Sequence, residues 1–151
     1  MPNTPCSVGC SASAYAAGTY ATEQDMDFIG ELLNSVGLGI PCNESEMNGI
    51  TALSGSGPAY VFLMIEAMAD AGVKGGVPRD MALKLAAHTV AGAAQMVIQT
   101  GTHPAVLKDR VCSPAGTTIA GVTSLETHGF RNAVISAVTA AKARADELTN
   151  N

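Results

Sequence analysis

Apolar residues recur at helical spacing through most of the chain, and strand-like segments are confined to its first third. Met26, Ile29, Leu32, Leu33 and Val36 lie three and four residues apart and predict an amphipathic helix. Thr22 and Asp25 form a capping signal ahead of it and Gly37 closes it. On either side, residues 11–17 read as a small-residue strand and 39–43 as a short edge strand. From Glu46 onward the pattern turns helical. Residues 47–53 predict a short helix, interrupted by Ser54-Gly55-Ser56-Gly57 and restarted by Pro58, whose missing N–H costs nothing in a first turn. Val61, Met64, Ile65, Met68 and Gly72 make one apolar face of the helix that follows. Ala82, Leu85, Ala86, Val90, Ala93 and Val97 do the same for a helix over 79–100. Shorter helices are predicted over 104–111, capped by Thr102 or His103, and over 117–125, behind Ser113-Pro114. The last runs over 130–148, with Val134, Ala137, Val138, Ala141, Ala145 and Leu148 on one side. Two strands and one helix leave sheet edges open, so residues 1–46 read as the tail of a larger α/β unit and 47–151 as a helical domain.

Composition sharpens this reading. The 151 residues are 47% hydrophobic but only 4% aromatic, with no Trp, so Ala, Gly, Val, Leu and Met must fill the interior, which suits close-packed helices. Met64, Met68, Met81 and Met96 fall at positions expected to pack in a core. With 8 Lys plus Arg against 13 Asp plus Glu, the chain carries no basic stripe able to displace counterions from nucleic acid. Its longest basic grouping, Lys142 with Arg144, is expected to complement the dipole at a helix end. Cys6, Cys10, Cys42 and Cys112 form no CxxC pair and no zinc spacing, so they read as small reduced apolar residues and no metal site is expected. Residues 1–22 lack a signal-peptide or transit-peptide pattern, and no 18-residue apolar span is expected to cross a membrane. A cytoplasmic location follows as the expectation, with a mitochondrial one open to a longer parent chain.

Two stretches could carry chemistry. Ser113-Pro114-Ala115-Gly116-Thr117-Thr118 places small residues and hydroxyls at a helix start, where open N–H groups and the dipole can hold a carboxylate or phosphate. The plain alternative is a Ser cap followed by Pro at the first helical position. Leu53-Ser54-Gly55-Ser56-Gly57-Pro58-Ala59-Tyr60 allows close backbone approach to a ligand or a helix. It is no dinucleotide fingerprint, because Tyr60 stands where the third glycine belongs and no strand precedes it; a packed helix kink explains it equally. Glu66 with Asp70, and the scattered His88, His103 and His128, read as surface or structural groups.

Taken in order, MPNTP at 1–5, the strand–helix–strand, ITALSGSGPAY at 50–60, EAMADAGVK at 66–74, LKDRVCSPAGTTIAG at 107–121 and HGFRNAV at 128–134 resemble pyrroline-5-carboxylate reductase along the whole chain. The resemblance implies a mainly α fold: a helical dimerisation domain preceded by a short α/β remnant of a Rossmann domain. It implies hydride transfer from NADPH or NADH to 1-pyrroline-5-carboxylate, giving L-proline, by a homodimer that builds a higher oligomer. By the same resemblance Ser113, Gly116, Thr117 and Thr118 hold the substrate carboxylate and ring nitrogen, with Thr118 as the catalytic hydroxyl near the nitrogen. Asn3, Thr4 and Pro5 match the loop on the nicotinamide side, and Arg110 lies in the loop that meets the cofactor from the helical domain. The chain departs from the family pattern in three ways. The Gly-rich phosphate turn is absent, Ala115 stands where Gly is common, and Gly101 stands where some relatives carry a polar residue. Two functions therefore compete: an imine reductase present as a fragment or short isoform, and a non-catalytic helical assembly module pairing with itself or with full-length subunits. A β-hydroxyacid-type dehydrogenase is disfavoured because Lys74, Lys84 and Lys108 sit in no catalytic lysine motif.

Overall fold

The computed structural model describes residues 1–149 and divides into two compact units, Met1–Val61 with Val134–Asn151, and Phe62–Ala133.

In the first unit, β1 (Ser11–Tyr15) and β2 (Gly37–Pro41) pair in parallel, with Ser11 opposite Gly37 and Tyr15 opposite Pro41. Parallel strands require a crossover, and α1 (Glu23–Asn34) supplies it. The predicted cap is formed reciprocally: Asp25 N–H donates to Thr22 Oγ1 at 3.2 Å and Thr22 N–H donates to Asp25 Oδ2 at 2.9 Å. The Thr22 N–H foremost, then the Thr22 hydroxyl donating to Asp25 Oδ2 at 2.7 Å, hold the Asp25 carboxyl below its ordinary value. Gly37 differs from its expected part as a helix closer. The helix ends at Asn34, and Gly37 opens β2 with φ 147, where a Cβ would collide with the Ser11 backbone; the strand thus begins two residues before the expected 39–43.

The chain then forms α2 (Met47–Ile50), a π-helical turn (Thr51–Gly55) and the start of α3 (Gly57–Lys74). The interruption foreseen at Ser54-Gly55-Ser56-Gly57 is thus a π-turn, in which Ser56 N–H reaches back to Thr51 O at 2.9 Å. The far end of α7 (Phe130–Thr149) returns to this unit. There Asn48 Nδ2 donates to Asp146 Oδ1 at 2.9 Å and Thr149 Oγ1 donates to Asn48 Oδ1 at 3.3 Å.

The second unit contains most of α3, then α4 (Arg79–Thr100), α5 (Pro104–Val111), α6 (Thr117–Thr127) and the start of α7. Its core is built from small side chains. Ala69, Ala82 and Ala86 are buried with Ile65, Val73 and Val77 packed around them, and Gly72 lets α3 approach Ala82 closely. Arg79 and Asp70 pair at 2.5 Å across the connection, at a largely exposed site where such pairs contribute little.

Several expected core positions are not covered. Met81 and Met96 are about half exposed, and Leu85, Val97, Val134 and Leu148 are exposed despite their helical phase. Residues 91–100 of α4 are exposed throughout, and no large side chain is fully buried among the described residues. Against expectation, α4 is long and apolar enough to cross a membrane by length and composition. Its run of Ala, Val, Met and Ile raises hydropathy while Lys84 stands near one end. Lys142 and Arg144 do not lie in the last turn of α7; they pair with Asp146 at 2.7 Å and Glu147 at 2.6 Å. Cys6 and Cys10 are exposed rather than packed.

Candidate functional site

The connection from α5 to α6 gathers four of the predicted site residues into one turn. α5 starts at a cap made by His103, whose Nδ1 accepts from Ala105 N–H at 3.2 Å, and it ends at Val111. Cys112 is extended, and the turn that follows is closed by Gly116 N–H donating to Ser113 O at 3.1 Å. Ala115 sits inside it at φ 56, the one non-glycine residue with positive φ among those described. The plain cap imagined for this stretch is not what forms. The N-cap of α6 is Gly116, Pro114 lies outside the helix, and no side chain caps the first turn.

That leaves an open helix start. Ala120 N–H is bonded back to Gly116 O at 3.4 Å, so the N–H groups of Thr117, Thr118 and Ile119 precede the first intrahelical bond. No acidic residue lies in the first turn. Ser113 and Thr117 are exposed and Thr118 is half-buried, so hydroxyl and amide donors share one rim. A Cβ on Gly116 would collide with Ser113 Oγ and lie 3.2 Å from Ser113 O, so the serine side chain is folded over the glycine. This rim can accept a carboxylate without a lysine or arginine. Arg110 stands in the last turn of α5, exposed and without an ion pair among the described residues.

Asn3, Thr4 and Pro5 come together in the other unit, where Thr4–Val8 forms a 3-10 turn. Cys10 N–H donates to Pro5 O at 3.1 Å and Ser7 Oγ to Thr4 O at 3.2 Å. Asn3 is half-buried and its carboxamide bonds Ala12, Ser11 and Ser54. Sequence reasoning missed that network and its buried partner Ser13. The available signal was Pro58, four residues beyond Ser54, which removes the donor a helix would give the Ser54 carbonyl. A surface depression of about 410 Å³ lies at the start of α1, lined by Thr22, Glu23, Met26 and Asp27 among others; its carboxylates make it a poor seat for an anion.

A short parallel strand–helix–strand followed by helices defines a class: a mainly helical chain that begins with an α/β segment. Residues 44–148 match the family model described as pyrroline-5-carboxylate reductase dimerisation. The chain is 54% identical over 149 residues to the pyrroline-5-carboxylate reductase of Glycine max, covering 99% of this chain and 54% of that protein. It is 53% identical to that of Arabidopsis thaliana, covering 100% and 55%. Among solved structures it is similar to the Plasmodium falciparum pyrroline carboxylate reductase with NADP bound, at TM-score 0.89 and 39% identity, covering 96% of this chain and 59% of that one. The Coxiella burnetii pyrroline-5-carboxylate reductase gives TM-score 0.91 at 38% identity, covering 98% and 55%. The chain belongs to the pyrroline-5-carboxylate reductase family. It spans about half the length of the curated relatives it matches.

Proposed function

We propose that this chain supplies the substrate-binding and dimer-forming half of a reductase that converts 1-pyrroline-5-carboxylate to L-proline. The observation that carries the reading is the open start of α6, with its free amides, its hydroxyl rim and no acidic residue in its first turn. A substrate carboxylate fits there, held by the Thr117 and Ser113 hydroxyls and the helix N–H groups. The Thr118 hydroxyl, one residue deeper and half-buried, orients the ring nitrogen and hydrogen-bonds it as its bond order falls. Family membership supports a nicotinamide cofactor, which when bound supplies the hydride. By the family resemblance, Thr4 and Pro5 of the first unit would line its nicotinamide end. A pyrophosphate grip needs a Gly-rich turn after a strand, and these 151 residues hold none.

A second copy of the chain covers the apolar faces in this reading. Phe62, Leu63, Ile98 and Ile135 are each more than half exposed, and burying such side chains gains roughly 1–2 kcal/mol apiece. His88, Gln95 and Gln99 along α4 suit a protein partner better than lipid. The non-catalytic assembly module remains the second reading, favoured by the extent of these uncovered faces.

Titration of the chain with L-proline, followed by amide chemical shifts, tests the site. Shifts centred on residues 113–119, weakened about tenfold by Thr118→Ala, are expected. Shifts elsewhere, or none at high millimolar proline, would leave only the assembly role.

A further inference from the structure

We infer that Asn3 is a positioning clamp that seats the loop bearing Thr4 and Pro5 against the π-turn, rather than a contact to the cofactor; this rests on the reading of that loop as the nicotinamide-side loop. The need for a clamp comes from Pro58. In an α-helix the Ser54 carbonyl would accept from the N–H at position 58, and proline has none. The π-turn turns the neighbouring donors elsewhere, Ser56 N–H to Thr51 O at 2.9 Å and Ala59 N–H to Ser56 O at 3.1 Å. Asn3 Nδ2 fills the gap, donating to Ser54 O at 3.0 Å from fifty-one residues away.

The other end of the same carboxamide is equally committed. Asn3 Oδ1 accepts from Ala12 N–H at 3.1 Å and from Ser11 Oγ at 3.2 Å. A carbonyl oxygen only accepts, so the Ser11 hydroxyl gives its proton to Asn3 and Ser13 is the donor in the 2.6 Å Ser11–Ser13 pair. Ser11 and Ser13 are 4% and 3% exposed, so this relay is shielded from water. Reversing the amide would set N–H against N–H and oxygen against the Ser54 carbonyl, so one orientation is fixed. The carboxamide oxygen is fully used and one amide proton is spent, which leaves little to recognise a nicotinamide. The loop is tied at its edges too, by Ala14 N–H donating to Met1 O at 3.0 Å and by Cys10 N–H donating to Pro5 O. Asn3 is the tie that joins it to the helical segment.

The test uses the full chain, with hydrogen exchange at Ala12 and Ser56 as reporters and at Ala120 and Ala133 as controls. Asn3→Ala should speed exchange at both reporters roughly tenfold or more and leave the controls unchanged. Asn3→Asp keeps the acceptor for Ala12 and Ser11 and loses only the donor to Ser54, so Ser56 alone should respond. Pro58→Ala restores an N–H four residues after Ser54, and in that background Asn3→Ala should perturb Ser56 less. Reduced nicotinamide mononucleotide then reads the loop itself: its response at Thr4 should weaken in Asn3→Ala and stay weak in the double variant, because an N–H at position 58 satisfies the Ser54 carbonyl without tying the loop. Unchanged exchange at Ala12 and Ser56, or an Asn3→Ala effect at Ser56 that is identical in both backgrounds, overturns the clamp. If the mononucleotide perturbs nothing in the parental chain while the exchange pattern holds, the clamp stands and the reading of the loop falls.

Discussion

Neighbouring positions in the α5–α6 turn should respond to exchange of alanine and glycine with opposite signs. Ala115 is held at φ 56, where an L side chain crowds the following carbonyl, at a cost of about 1–2 kcal/mol. Ala115→Gly removes that strain but returns about 0.4–1 kcal/mol of freedom to the unfolded chain. The net expectation is a gain of about 0.5–1 kcal/mol, or roughly 2–3 °C in Tm for a domain of this size. Gly116 has ordinary extended backbone, φ −80 and ψ 172, so alanine is allowed there by conformation and opposed only by contact. A Cβ at Gly116 meets Ser113 Oγ at once and Ser113 O at 3.2 Å. The serine must leave its rotamer and the turn must open slightly, costing about 1–2 kcal/mol in all. Against a smaller entropic gain, Gly116→Ala should lower Tm by roughly 2–4 °C and displace the Ser113 hydroxyl from the helix start. Thermal unfolding of both variants at one fixed protein concentration measures this. Shifts of the same sign, or a neutral Gly116→Ala, would mean that the turn is not built as described.

Other consequences follow from the same structure. The Lys142 ammonium foremost, then the Asn48 amide, hold the Asp146 carboxyl below its ordinary value of 3.8. A carboxylate with a lowered folded-state pKa contributes stability that is present above its ordinary value and lost as pH falls through the lowered one. Urea midpoints should therefore lose a component below about pH 4 in the parental chain and not in Asp146→Asn. Ile98 is 72% exposed in the single chain, where Ile98→Glu would be nearly neutral for folding. If a second copy covers it, the same change should weaken association roughly tenfold or more, because burying an unpaired carboxylate is costly. Dilution series by light scattering would read the difference.

Most helix limits were legible because local rules agreed with one another. Arg79–Thr100 and Pro104–Val111 match the predicted spans, since Pro78, Gly101, His103 and Pro104 punctuate them unambiguously. The Thr22–Asp25 capping box was visible for the same reason. What could not be read was anything set by contact across distance. Gly37 looked like a helix stop, but parallel pairing with Ser11 made it the first residue of a strand. The helix start at Thr117 was legible, but the closed turn at Gly116, which sets aside the alternative of a Ser113 cap, was not. Lys142 and Arg144 looked like dipole partners until Asp146 and Glu147, one turn on, paired with them. The hydrophobic period placed Leu85, Met96, Val97 and Leu148 on apolar faces, yet periodicity names a face without naming what covers it.

If the helices of α3, α4 and α7 are the halves of a shared core, the chain sediments as a dimer at micromolar concentration. Monomer then appears only on dilution, with loss of helical signal. Sedimentation velocity combined with circular dichroism on the purified chain would give that result directly. A monomer that keeps full helicity at micromolar concentration would contradict it.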